Sequence, residues 1–372
     1  MSEENISTSN QSISLSSLGW DDNLVCVVCQ HCDWRYLAKP GSITRECPHC
    51  HTQNLENEGD DFSMMVDFIR PPELYLPFSL KSTILQEKMQ IFAKSIQFAP
   101  DDLQLGNLQQ RLKRVYLPMW LVDSKVSASW QADCGYYYQA KSHQEKYSGG
   151  RWQTQEVIET RTRWEPRVGK LERGYQNIAA PALEEHRKLM QALGNFSFNQ
   201  AKNITPAGIL SDSSGAVMVC IPTRDKDDAW PDTLPRFQEQ ATHETKQACA
   251  ADQIREFRWS PAFSNQNWTL FLLPMWISYY LDDESKPQSI LINGQSGQLS
   301  GVKRASMKKA KKVALTILVV AALLLGLSIV IGLISMMVPG LVVLATIGLV
   351  LSFGVALGAT YPLISVWSTN KK

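Results

Sequence analysis

The sequence predicts an α+β fold in three parts: a small cysteine ribbon at the N-terminus, a central mixed domain with an antiparallel sheet, and a C-terminal transmembrane helical hairpin. Three observations carry this. Two CxxC knuckles, Cys29-Gln-His-Cys32 and Cys47-Pro-His-Cys50, lie fourteen residues apart. A Leu-Pro-Met-Trp tetrapeptide occurs twice, at 117–120 and 273–276, each time between apolar flanks. No charged residue falls between Lys312 and Lys371.

The knuckles come first. Four thiolates at this spacing can surround one tetrahedral Zn²⁺, so Cys29, Cys32, Cys47 and Cys50 are read as ligands and residues 19–55 as a zinc ribbon. Cys26 offers a competing register with Cys29; the first set is preferred because Cys32 leads into an aromatic strand. Short strands are expected at Asp33–Tyr36 and Ser42–Thr44, and a segment this small needs the metal to fold. Four thiolates close the coordination shell, which makes the ion structural. His31, His49 and His51 are expected as exposed neighbours. Cys134, Cys220 and Cys249 are scattered, a pattern of buried thiols with no assigned role.

Residues 1–18 are rich in Ser, Asn and Gln and are expected to be disordered. An acidic linker follows the ribbon at 56–61, and a Pro-restricted extended stretch at 71–77 opens the central domain, residues 62–302. Apolar residues recur at helical spacing over 80–95, and Asp101-Asp102 marks the start of a second short helix. The two Leu-Pro-Met-Trp segments read as equivalent strands of an internal repeat, each continuing into a hairpin, the second with an Asn293-Gly294 turn. Strands are expected at 155–164 and 217–221, and helices at 181–193 and 235–254. Arg161 and Arg163 fall on a mixed-charge face that is solvated or paired across strands. Trp130, Trp152, Trp164, Trp230, Trp259 and Trp268 are expected in a core or lining a groove.

The apolar runs 313–338 and 341–367 each exceed the roughly 20 residues needed to cross a bilayer as helix. Neither has the polar face that a soluble hairpin would keep. Lys303, Arg304, Lys308, Lys309, Lys311 and Lys312 (the basic segment 303–312) precede the first run, and Lys371 and Lys372 follow the second. Positive flanks stay on the cytoplasmic side, so both termini are expected there, with Pro339-Gly340 at the far interface. Gly354 and Gly358 form a GxxxG, and Ala322 and Gly326 are also four apart; such pairs could bring helices together or mediate homo-oligomers. The polar N-terminus offers no secretory signal.

Eight of the 37 basic residues flank the apolar runs, which leaves residues 1–302 with a net charge of about −7. That balance argues against nucleic acid as a general partner and assigns the basic segment to topology and anionic membrane lipid. No P-loop, HExxH or GxSxG motif is present. Ser211–Gly215 is a loop by composition, and His143, His186 and His243 lack a nucleophile at diagnostic spacing. A non-enzymatic protein is therefore expected.

With these residues in view, the chain resembles a family of bacterial membrane-bound zinc-ribbon proteins of poorly defined function. The likeness lies in the order of parts: the CxxC and CPxC knuckles, the Pro-rich lead-in, Tyr116-Leu-Pro-Met-Trp120, Arg161-Thr-Arg-Trp164, Leu272-Leu-Pro-Met-Trp276, Ile292-Asn-Gly-Gln-Ser-Gly-Gln298 and the terminal membrane helices. Some members are labelled as similar to primosomal protein N′, a helicase, on the strength of the ribbon; this chain carries no helicase ATPase motif. Others look like partners of PspA-type and flotillin-like membrane-stress proteins. The resemblance implies an adaptor or scaffold that docks proteins at the inner membrane face. The alternative is a membrane-tethered ribbon associated with nucleic acid. One departure is that the Gly often found after each CxxC is Asp33 and His51 here.

Overall fold

The computed structural model describes residues 24–42, 44–59, 71–204, 217–337 and 339–371. The N-terminal tail, the 211–215 loop, Ile43, the end of the acidic linker and Lys372 lie outside the described residues. The fold is mixed α/β around one mixed sheet of eleven strands. The first three strands are β1 (Val25–Cys29), β2 (Arg35–Ala38) and β3 (Leu55–Asn57). β4 (Leu74–Tyr75) follows, then helices α1 (Ser82–Lys94) and α2 (Leu105–Gln110). The long strands β5 (Lys113–Ser148) and β6 (Arg151–Pro181) lead to α3 (His186–Leu193), β7 (Lys202–Asn203) and β8 (Val217–Cys220). After α4 (Lys226–Ala229) and α5 (Leu234–Ala248) come β9 (Gln253–Leu281), β10 (Pro287–Asn293) and β11 (Leu299–Gly301). Three helices close the chain: α6 (Met307–Ser335), α7 (Val342–Gly358) and α8 (Thr360–Lys371).

The sheet runs β11-β10-β9-β5-β8-β2-β1-β3. Its centre is the antiparallel pairing of the two Leu-Pro-Met-Trp strands with each other. Leu117 faces Leu273, Tyr116 faces Pro274 and Pro118 faces Leu272, so a local two-fold axis passes between the leucines. Along its other edge β5 first takes β8, in parallel, over Arg114–Tyr116, and then β6 from Met119 onward. The ribbon strands are not separate from this sheet: Tyr36 and Leu37 of β2 pair with Cys220 and Val219 of β8.

Several expectations change. Strands at Val25–Cys29 and Leu55–Asn57 flank the knuckles, the strand expected at 33–36 forms over Arg35–Ala38, and the 3-10 turn Pro40–Ser42 takes the expected connector and reaches the first residue of the strand expected at 42–44. The helix at Asp101 begins only at Leu105, because Asp102 is occupied by Arg111, Asn107 and the Leu281 N–H. The helix expected over 181–193 forms only from His186, since Pro181 still ends β6. The helix expected over 235–254 stops at Ala248, and Gln253 already starts β9.

Beyond Gly135, the last β5 residue paired to β9, the β5–β6 ladder continues alone from Tyr136–Arg163 to Ser148–Arg151. At about 3.3 Å per residue this two-stranded arm extends roughly 40 Å. Gly149 and Gly150, at φ 64° and 81°, turn its tip. Among the described side chains none from 136 to 163 is buried. Trp152 is 68% exposed, the one exposed member of the tryptophan set. Arg161 pairs with Glu159 at 3.1 Å and Arg163 with Glu165 at 2.8 Å, within one strand and not across strands.

The helices α6 and α7–α8 are long and apolar enough to cross a membrane and form a hairpin, with mean hydropathy 3.1 and 2.3 over their best windows. Their contact is made by Ala321, Ser328 and Ser352, all nearly inaccessible, and by Gly348 against Ser328. Gly326, Gly354 and Gly358 face open space, so the expected small-residue pairs do not join the two helices. The body grips both ends of the hairpin. Asn370 Oδ1 accepts from Ala305 N at 2.8 Å, Arg304 donates to Asn370 O at 2.6 Å, and Val366 and Ala310 are buried in the core around α1. The last turns of the second apolar run therefore pack on protein.

Candidate metal centre and the cleft beside it

Each knuckle is a tight turn closed by a backbone bond, Asp33 N to Cys29 O at 2.9 Å and His51 N to Cys47 O at 3.0 Å. Asp33 and His51 take left-handed φ of 57° and 61°, the conformation that Gly would supply freely. Asp and His are among the residues that tolerate it best. Asp33 and His51 are thus accommodated without changing the turn.

The four Sγ atoms of Cys29, Cys32, Cys47 and Cys50 lie within 4.8 Å of one another and could hold a metal ion. Cys29 and Cys50 are 3.5 Å apart and Cys32 and Cys47 3.7 Å. A tetrahedral ion with bonds of about 2.3 Å requires edges of about 3.8 Å, so the donor set fits. Burial works against thiolate formation at Cys29, yet the His31 and Cys32 N–H groups bring its pKa down to about 7. Burial and neighbouring sulfur charge push Cys32 well up and Cys47 to about 11. A cation held between them would remove that mutual repulsion. Thr52 Oγ1, 3.0 Å from Cys50 Sγ, and the buried Tyr36 hydroxyl, 4.0 Å from Cys47 Sγ, contact the sulfurs; both escape a reading based on cysteine spacing.

Cys26 stays outside the cluster. Strand alternation sends it to the opposite face from Cys29, where it packs with Leu24 and Leu37 and donates to Glu58 at 3.4 Å. Burial, then the Glu58 charge, pushes its thiol well up. Cys220 packs in the core near Cys47, and Cys134 sits beside Cys249 at the base of the arm, pushed up to about 11 by burial and that neighbour.

The second knuckle is docked, not exposed. His51 Nε2 bonds Ser289 Oγ at 2.7 Å and stacks on Tyr279 at 4.3 Å. Burial, with Lys113 nearby, lowers its pKa to about 3. Lys113 donates to Glu46 at 2.9 Å, and His49 stacks on Trp34 at 4.0 Å with Glu185 3.7 Å away. Only His31 is exposed as expected. Of the remaining histidines, His143 lies exposed on the arm and His243 on α5, while burial lowers His186 to about 4.

Between the docked knuckle, α3 and the Leu-Pro-Met-Trp strands lies a cleft of about 390 Å³. Trp34, Tyr36 and His49 form its ribbon wall, Leu189 and Ala192 its helical wall, and Met275 its floor. Gly301 and Val302, just before the basic segment, complete the rim. Of that segment, Arg304 is bound to Asn370, Lys308 to Asp283 and Lys309 to Asp101 at 2.8 Å. Lys303, Lys311 and Lys312 remain exposed. Lys371 lies over the Trp367 ring at 4.8 Å.

Comparison of the chain with protein-family models, with curated proteins and with solved structures returns no match in any of the three.

Proposed function

We propose that this protein is a zinc-stabilised adaptor anchored in a membrane, which docks protein partners at the cytoplasmic face. The observation that carries the reading is the β5–β6 arm. A two-stranded ribbon is marginally stable in water, and an unpaired strand edge invites pairing with another chain. Here β5 loses its partner β9 at Gly135, and Tyr138, Tyr147 and Trp152 stand about half exposed or more on the arm. Such an element suits strand addition or aromatic anchoring by a partner.

We assign zinc to the four cysteines because an all-thiolate tetrahedral set suits a redox-inert structural ion and leaves no open position for water. Support for both helix flanks lying on one side of the membrane comes from the Arg304 and Ala305 bonds to Asn370, and the positive flanks favour the cytoplasmic side.

The test is a gentle-detergent pull-down of the tagged full chain from its native membrane, with mass spectrometry and metal analysis, repeated with residues 137–162 replaced by a short turn. A stoichiometric protein partner that disappears with the arm supports the adaptor. Salt-dependent recovery of nucleic acid with no protein partner overturns it in favour of a tethered nucleic-acid ribbon.

A further inference from the structure

We propose that the cleft between the second knuckle and α3 binds one acyl chain of a lipid with an anionic head. Its lining is mostly apolar or aromatic, with Tyr36, Leu189, Ala192, Met275, Ile277 and Leu291 among it, and Ser289 and Ser300 add hydroxyls. Ligand pockets have this character, an apolar surface with a few polar groups that fix orientation. At roughly 30 Å³ per water-sized group, a volume of about 390 Å³ takes about thirteen such groups, enough for one chain and too few for two.

The rim supplies the charge. Lys188 and Glu185 both line the cleft from α3; Lys188 makes no ion pair among the described residues, while the Glu185 carboxylate lies 3.7 Å from His49. An unpaired ammonium at the mouth of an apolar slot matches an anionic head over a buried tail.

Position supplies the source. Val302 lines the cleft and is 48% exposed, and α6 begins at Met307. Five residues reach at most about 17 Å, and the six helical residues to Val313 rise about 9 Å, so the mouth stays within roughly 25 Å of the apolar span. The hydrogen bonds of Arg304 and Ala305 to Asn370 fix that short connection.

The experiment is native mass spectrometry of the full chain, purified in a sterol-based detergent without alkyl tails and titrated with lysophosphatidylglycerol or zwitterionic lysophosphatidylcholine. The expected result is a one-to-one adduct, about fivefold tighter for the anionic lipid, a preference removed by Lys188→Glu at the rim. Ala192→Phe, or Ser300→Leu from the β11 part of the lining, abolishes both adducts while cysteine-bound metal and thermal unfolding stay as in the parent. An adduct that survives both cleft variants, or no adduct with the parent, overturns the site. Equal binding of the two lipids, indifferent to Lys188→Glu, overturns the anionic head.

Discussion

Removing the metal should loosen the central sheet, not the ribbon alone. Cys29 and Cys47 are fully buried in the same core cluster as Val115, Leu117, Met275 and Ile277. Among the described residues β2 is the only route by which β1 and β3 join the sheet, and Ile221 of the segment after β8 donates to Arg35 O at 3.0 Å. Tyr36 and Leu37 are each 1% exposed. Uncovering two such side chains costs about 3–6 kcal/mol at roughly 1.5–3 kcal/mol each. A structural zinc site supplies about 10–16 kcal/mol of binding energy, so losing it is sufficient to release them. The assay is native-state hydrogen exchange before and after chelation. Protection of the Val219 and Ile221 amides should fall by about 10²–10⁴, the equivalent of that free energy. If the knuckle amides of Asp33 and His51 exchange freely after chelation while Val219 and Ile221 keep their protection, ribbon and body are independent and the reasoning fails.

Three further outcomes follow from the same contacts. Burial opposes ionisation of Asp102, but Arg111, the Leu281 N–H and Asn107 hold its carboxyl below the ordinary 3.8. The unfolded chain then takes up the proton first, so this stabilisation is present above that pH and lost as pH falls through the lowered value; Asp102→Asn should cost about 1.5–3 kcal/mol in denaturant melts at pH 7 and progressively less as the pH is lowered into that range. Asn370→Ala removes the side-chain bonds to Ala305 at 2.8 and 3.0 Å, and should raise exchange at Ala305 about tenfold without moving the zinc content. Replacing arm residues 137–162 by a short turn should leave the melting of the body within a few degrees of the parent, because none of its described side chains is buried; a large loss would show that the arm is part of the core.

The features visible in the sequence were those set by local spacing. CxxC knuckles and charge-free runs need no knowledge of the rest of the chain, and the four clustered cysteines and two long apolar helices follow them. The arm was legible only over 155–164. Both its faces are solvated, so the alternation that marks a half-buried strand is absent, although Gly149-Gly150 is a turn signal that could have been used. The docking of His49 and His51 depends on Trp34, Glu185, Tyr279 and Ser289, up to 238 residues away, and no local pattern reports such contacts. The small-residue pairs do not mark the contact within the hairpin, because helix contacts depend on rotation as well as spacing: Ser328 and Gly348 meet, and Gly354 and Gly358 face outward.

The repeated tetrapeptide has a physical reason that composition alone does not give. Proline in a central strand removes a ladder donor and is normally confined to edges. Pro118 falls where β5 changes partner, after β8 ends at Tyr116 and before β6 begins at Met119. Pro274 falls at the matching place on β9, after β4 ends at Leu272 and before β10 begins at Met275. Each proline thus occupies a gap in the outer ladder, where a missing N–H leaves no neighbouring strand unpaired. The leucine before each proline and the methionine after it are buried, with Leu117 and Leu273 facing each other across the local axis. The tryptophans complete the pattern and then diverge. Trp120 is 1% exposed and donates to Arg224 O at 3.0 Å, whereas Trp276 is half-buried against Phe78 with Arg114 above its ring. The repeat marks two equivalent partner changes at the heart of one sheet, and that symmetry places β8 with the ribbon on one flank and β10 with the membrane-proximal segment on the other.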